Sequence, residues 1–144
     1  MSLKYKKFKS QKDIDKYLEC DKKVYPDSKP NNKVNYKDFM YTIYFDNRVI
    51  GYIGLCDMNY RKKTYLGICN FIIEPELQGK GYGTKVIKDI IKTHKTRVDT
   101  IFCWVDEDNK KAIDFYKKFT TITKENLKDG QYYVLFYDVK DKPE

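Results

Sequence analysis

Phe71-Ile72-Ile73-Glu74-Pro75-Glu76-Leu77-Gln78-Gly79-Lys80-Gly81-Tyr82-Gly83-Thr84 is an apolar run that stops at proline, crosses three glycines and then opens a helix. The helix shows in its periodicity: Val86, Ile87, Ile90, Ile91 and His94 share one face, and Lys85, Lys88, Asp89, Lys92 and Lys95 fall largely on the other. Glycines let a backbone approach a ligand closely. The first N–H groups of a helix lack internal acceptors, and the helix dipole adds partial positive charge there. The segment therefore reads as a site for a phosphate or pyrophosphate, with Lys80 adding a full charge. It is neither a Walker A loop nor a dinucleotide fingerprint. The third glycine of the latter would fall at Thr84 or at Val86. A plain strand-to-helix turn is the alternative reading, but it needs fewer glycines and no lysine.

Upstream, residues 3–8 read as a strand. Ser10 and Asp13 cap a helix that carries Ile14, Tyr17 and Leu18. Tyr25–Asn32 is a loop by its Pro and Asn content, and Asn35–Met40 reads as a short second helix. Tyr41–Phe45 and Val49–Cys56 form a hairpin across Asp46-Asn47. A polar turn at Asn59–Lys63 leads to a third strand, Tyr65–Ile73. Downstream, Ile101–Val105 is a strand, and Asp106–Asn109 offers caps for a helix with Ala112, Ile113, Tyr116 and Phe119 on one face. Thr120–Thr123 and Tyr132–Val139 are strands joined by a loop ending in Asp129-Gly130. The strand–helix–strand section implies a parallel pair, the flanking meanders antiparallel ones. The expected fold is a single α+β domain over 1–144, a mixed but mostly antiparallel sheet flanked by helices.

Composition agrees with such a domain: 144 residues, 41% hydrophobic and 35% charged, with no internal repeat. Lys140–Glu144 is polar and is expected to be disordered. The N-terminus does not read as a signal peptide and no apolar run is long enough to span a membrane, so the expected location is the cytoplasm. Cys20, Cys56, Cys69 and Cys103 are widely spaced and read as reduced thiols rather than disulfides or a zinc site; no metal is expected. The net charge of +8 favours a polyanionic partner. Its scatter along the chain favours a phosphorylated cofactor over nucleic acid.

Gln78-x-x-Gly81-x-Gly83 resembles the acetyl-CoA motif of GNAT (GCN5-related) N-acetyltransferases. Ile73-x-Pro75 precedes it, and Asn109-x-x-Ala112-x-x-Phe115-Tyr116 resembles the family's next motif. The specific part of the likeness covers residues 65–119. It implies that acetyl-CoA lies in a split between the strands Tyr65–Ile73 and Ile101–Val105. Phe71 and Ile73 would give main-chain hydrogen bonds to the pantetheine arm, and an N–H near Ile72 or Ile73 would stabilise the oxyanion. Gln78 would begin the phosphate turn, whose amides run through Gly79, Lys80, Gly81, Tyr82, Gly83 and Thr84. Asn109 would lie on the cofactor side, and Tyr116 would hydrogen-bond the departing thiolate.

The resemblance has two departures. Histone-type members carry a glutamate where this chain has Gly67. Many members read Leu-Gly-Phe where it has Phe119-Thr120-Thr121. No base is assigned. Asp57 reads as a turn residue and Glu74 as a solvent-facing carboxylate. Tyr132, Tyr133, Phe136 and Tyr137 read as sheet core plus edge. The implied function is acetyl transfer to a small amine or peptide amine of unknown identity, with neither nucleic acid nor a membrane as partner and a homodimer left open. An acetyl-CoA-binding module with a sensing role, and a basic nucleic-acid-binding domain, are the competing readings.

Overall fold

The computed structural model describes residues 2–126 and 130–139. In chain order the elements are β1 (Leu3–Lys7), α1 (Gln11–Val24), β2 (Met40–Phe45), β3 (Arg48–Tyr60), β4 (Lys63–Ile73), α2 (Tyr82–His94), β5 (Thr100–Asp106), α3 (Lys110–Tyr116), β6 (Ile122–Asn126) and β7 (Gln131–Asp138). The strands form one sheet in the order β1-β2-β3-β4-β5-β7-β6. Only β4 and β5 run parallel among the registered pairs; β1–β2, β2–β3, β5–β7 and β6–β7 are antiparallel. This is the mixed sheet with flanking helices that the sequence predicts. The expectations for Asp129 and for Lys140–Glu144 lie outside the described residues.

The chain forms two compact units, Met1–Leu55 with Asn70–Asp89 and Cys56–Cys69 with Ile90–Glu144. In the first, the Asp13 carboxylate accepts from the backbone N–H groups of Ser10 (3.3 Å) and Lys9 (2.8 Å), which starts α1. One face of α1 buries Ile14, Tyr17 and Cys20. They join Phe8, Met40, Tyr52 and Ile72 in a core rich in rings, with Tyr17 5.7 Å from Tyr52 and Phe8 6.2 Å from Tyr52. In the second unit, from Ile101 onward β5 alternates between buried Ile101, Cys103 and Val105 and the less buried Phe102, Trp104 and Asp106. Buried Asp99 accepts from the backbone and side chain of Thr64 (3.0 and 3.2 Å). Among the described residues, no helix is long and apolar enough to cross a membrane.

Four boundaries differ from expectation. Asn35–Met40 is not a helix; only Tyr36–Asp38 makes a 3-10 turn, because Met40 pairs with Gly54 in the sheet and Phe39 O accepts from Leu55 N. The turn after β3 is just Arg61-Lys62, both at positive φ (49° and 65°), and the polar residues around it belong to long strands. Helix α3 ends at Tyr116, before Phe119. The strand expected at Thr120–Thr123 is Ile122–Asn126.

Candidate active site

The glycine segment belongs wholly to the first unit. A 3-10 turn at Pro75–Leu77 buries Leu77, and the Gln78 side-chain amide donates back to Ile73 O at 3.0 Å. The turn is thereby tied to the end of the strand that precedes it. Gly79 and Gly81 then take φ +76° and +87°, a region that side chains with a β-carbon rarely adopt. A Cβ built at either glycine would meet nothing within 4 Å. Backbone conformation, not crowding, therefore requires glycine there, and the ground above both is open. Gly81 O accepts from Lys85 N (3.2 Å) as α2 begins. Helix geometry leaves the N–H groups of Tyr82, Gly83 and Thr84 without intrahelical acceptors, and Lys80 is exposed beside them. The Tyr82 ring packs on Phe45 at 5.4 Å, which anchors the first turn of α2 to β2.

The end of β4 has two features that sequence reasoning missed. Asn70 adopts φ +49° inside the strand, and this local reversal re-aims the next peptide groups, toward Phe71, Ile72 and Ile73. The signal was available: asparagine is depleted in strands and enriched at left-handed positions. Gly51 is the second. A Cβ there would lie 2.2 Å from Ile72 O, so β3 lets the backbone of β4 approach only because it carries no side chain. Glu74 departs from expectation: it is half-buried, not solvent-facing, and accepts from Tyr52 OH at 3.3 Å. Burial, and then the Glu74 carboxylate, push the Cys20 thiol up to about 12.

Tyr116 and Asn109 belong to the second unit. Asn109 caps α3, its side-chain oxygen accepting from Ala112 N at 3.1 Å. Seven residues on, Tyr116 is 8% exposed, with its ring 5.6 Å from Phe136 and 5.2 Å from Phe115. Its hydroxyl bonds the Cys103 thiol. Burial pushes that thiol up to about 12 and the Tyr116 bond pulls the other way, so Cys103 is a neutral sulfur at physiological pH. Tyr116 thus already rests on a sulfur atom. After α3, Thr120 Oγ1 bonds Leu135 O, which fastens the turn to β7.

The β4–β5 ladder pairs Tyr65–Ile68 with Thr100–Cys103, and β5 continues to Asp106. At Gly67 a Cβ would sit close, 3.2 Å from Met58 Cε and 3.4 Å from Phe102 Cζ, so a side chain there would displace the tip of Met58. Asp57 lies within β3, not in a turn, and pairs with Arg97 at 2.9 Å. Among the described residues, no three His, Cys, Asp or Glu side chains gather as metal ligands.

A strand ending in a glycine turn at a helix N-terminus, followed by a strand and a tyrosine-bearing helix, is the arrangement of an acyl-CoA-dependent transferase fold. The acetyltransferase (GNAT) family model matches residues 8–120, and the chain belongs to that family. An uncharacterized N-acetyltransferase of Methanocaldococcus jannaschii is 30% identical over 97 residues, 64% of this chain and 42% of that protein, so the chain spans less than half of that relative's length. Among solved structures, Arabidopsis thaliana Naa50 in complex with the bisubstrate analogue CoA-Ac-MVNAL superposes with a TM-score of 0.67 at 19% identity, covering 94% of this chain and 97% of that one. Arabidopsis thaliana NAA60 in complex with acetyl-CoA gives 0.66 at 11% identity, covering 96% and 100%.

Proposed function

We propose that the chain transfers the acetyl group of acetyl-CoA directly to a primary amine. The observation that carries this reading is the turn Gly79–Gly81, left-handed at both glycines and open above them, at the start of α2. The amides of Gly79, Lys80, Gly81, Tyr82, Gly83 and Thr84 hold the diphosphate, with the Lys80 ammonium beside it, and Gln78 fixes the turn. Phe71 and Ile73 pair with the pantetheine arm through main-chain groups re-aimed at Asn70. The family match, and neighbours solved with acetyl-CoA or a CoA conjugate, support acetyl-CoA as co-substrate. The peptide-bearing conjugate of Naa50 supports an amine as acceptor, a peptide amine included.

In the reaction the amine nitrogen attacks the thioester carbonyl carbon and the C–S bond breaks. The N–H of Ile72 or Ile73 steadies the oxyanion; one such donor contributes about 2.7–4 kcal/mol. The Tyr116 hydroxyl passes from the Cys103 sulfur to the departing sulfur, and the amine proton leaves to solvent. A phenol (pKa ~10) gives its proton uphill to a thiolate whose acid has pKa ~8.5, so hydrogen-bond stabilisation is the main contribution. Asn109 acts from the cofactor side by fixing the first turn of α3. One domain over 1–144, a cytoplasmic location suited to four free thiols, and acetyl-CoA rather than nucleic acid as the polyanion complete the reading.

Gly81→Val tests the turn. A β-branched residue at φ +87° costs about 1–3 kcal/mol, so acetyl-CoA affinity by calorimetry is expected to fall roughly 5- to 150-fold. Unchanged affinity would remove the turn from the binding site.

A further inference from the structure

The large apolar side chains left most exposed among the described residues are Tyr25, Met58, Tyr60 and Trp104, and the last three stand in the second unit. Trp104 is 43% exposed and Met58 42%. Phe102 and Trp104 occupy the face of β5 opposite buried Ile101, Cys103 and Val105. Register places Phe102 beside Gly67 on β4, and Trp104 beside Tyr133 on β7. The Tyr133 ring lies 5.0 Å from Trp104 and 5.5 Å from Phe102, nearly parallel to the latter at 28°, and Tyr65 meets Phe102 edge-on at 6.1 Å. Met58 Cε and the Phe102 ring crowd the space above Gly67. The result is a continuous floor of rings.

Two properties separate this floor from an ordinary sheet surface. Trp104 is the first residue of β5 beyond the last ladder pair, Ile68–Cys103, and on the other face Cys103 carries the Tyr116 hydroxyl. The floor thus ends where β4 and β5 stop pairing, with the group assigned to the leaving sulfur on the opposite face of the strand. It is also neutral. In a chain of net charge +8, Tyr65, Gly67, Phe102, Trp104, Tyr133 and Met58 bring no charge. The Lys63–Asp138 pair (3.1 Å) closes one end, and Asp106, accepting from Gln131 Nε2 (3.1 Å), stands at the other.

Resting on the acetyl-transfer reading, we propose that this floor holds the body of the acceptor and that the acceptor is a small arylalkylamine with one ammonium group. Rings stack on rings, the faces of Trp and Tyr attract a single cation, and Asp106 complements one positive charge. A polyamine or an aminoglycoside carries several ammonium groups and finds one carboxylate along β5 on this face among the described residues, in a protein already positive.

Trp104 is the sole tryptophan, so intrinsic fluorescence reports this floor directly. Titrating phenethylamine into the full chain saturated with CoA is expected to change that fluorescence saturably, with spermidine and butylamine changing it far less. Phenethylamine is expected to exceed both in kcat/KM by about 10-fold, and Trp104→Ala to remove most of that margin while Trp104→Phe keeps it. The melting shift given by acetyl-CoA, read on the same samples, is expected to persist in both variants. A lost shift in the parent protein would overturn acetyl transfer itself. An intact shift with spermidine or a peptide N-terminus preferred, or with phenethylamine leaving the fluorescence unchanged, would overturn the acceptor assignment alone.

Discussion

Gly51→Ala is expected to destabilise the protein by about 3 kcal/mol and to lower its melting temperature by roughly 10 °C. The Cβ it adds falls 2.2 Å from Ile72 O and 3.0 Å from Ile73 Cα, both backbone atoms of β4. No rotamer relieves a clash of that kind; one strand must move. Glu74 N donates to Ile50 O at 2.9 Å one residue away, so the movement also strains the bond that holds the end of β4. Because Phe71, Ile72 and Ile73 form the proposed pantetheine edge, acetyl-CoA binding is expected to weaken along with stability. Thermal melting with and without acetyl-CoA reads both effects. A variant that melts with the parent would show that the two strands tolerate separation here.

Tyr116→Phe is expected to lower kcat about 100-fold while leaving acetyl-CoA affinity unchanged. The substitution keeps the ring between Phe115 and Phe136, so α3 stays in place and the fold is preserved. What is lost is the hydroxyl that bonds the Cys103 thiol in the resting protein. If that hydroxyl serves the leaving sulfur, its removal acts on the transition state and not on ground-state binding. Steady-state kinetics with any accepted amine, together with calorimetry, separates the two. Turnover equal to the parent's would leave Tyr116 as a packing residue of the second unit.

The parts of the fold legible in the sequence are those where local chemistry and tertiary pairing agree. Ser10 with Asp13 starts a helix where its capping pattern places one, Asp46-Asn47 turns a hairpin at positive φ, and Val86, Ile87 and Ile90 are buried as their spacing requires. The glycine turn is legible because no ordinary loop asks for two left-handed glycines ahead of a helix. Asn35–Met40 misleads because Tyr36, Phe39 and Met40 have helical spacing, while sheet pairing at Met40 decides the outcome. Asp57, Asn59 and Lys63 read as a turn because polar residues at the exposed end of a long hairpin resemble one. Asn70 and Gly51 escape notice for a different reason. A reversed φ within a strand and a close approach between strands depend on neighbours that a single run of sequence does not show. The ring floor around Trp104 is assembled from β3, β4, β5 and β7, and no stretch of sequence carries it whole.

The most direct test of the account compares acetyl-CoA with S-acetylpantetheine, which has the same thioester and arm but lacks the diphosphate and the 3′-phosphoadenosine beyond it, by titration calorimetry, with S-acetyl-4′-phosphopantetheine between them to read the phosphate alone. If the amides from Gly79 to Thr84 hold the diphosphate, acetyl-CoA binds and S-acetylpantetheine binds at least about 100-fold more weakly, a loss of roughly 2.7 kcal/mol. Equal binding of the two, or heat from neither, would contradict the account.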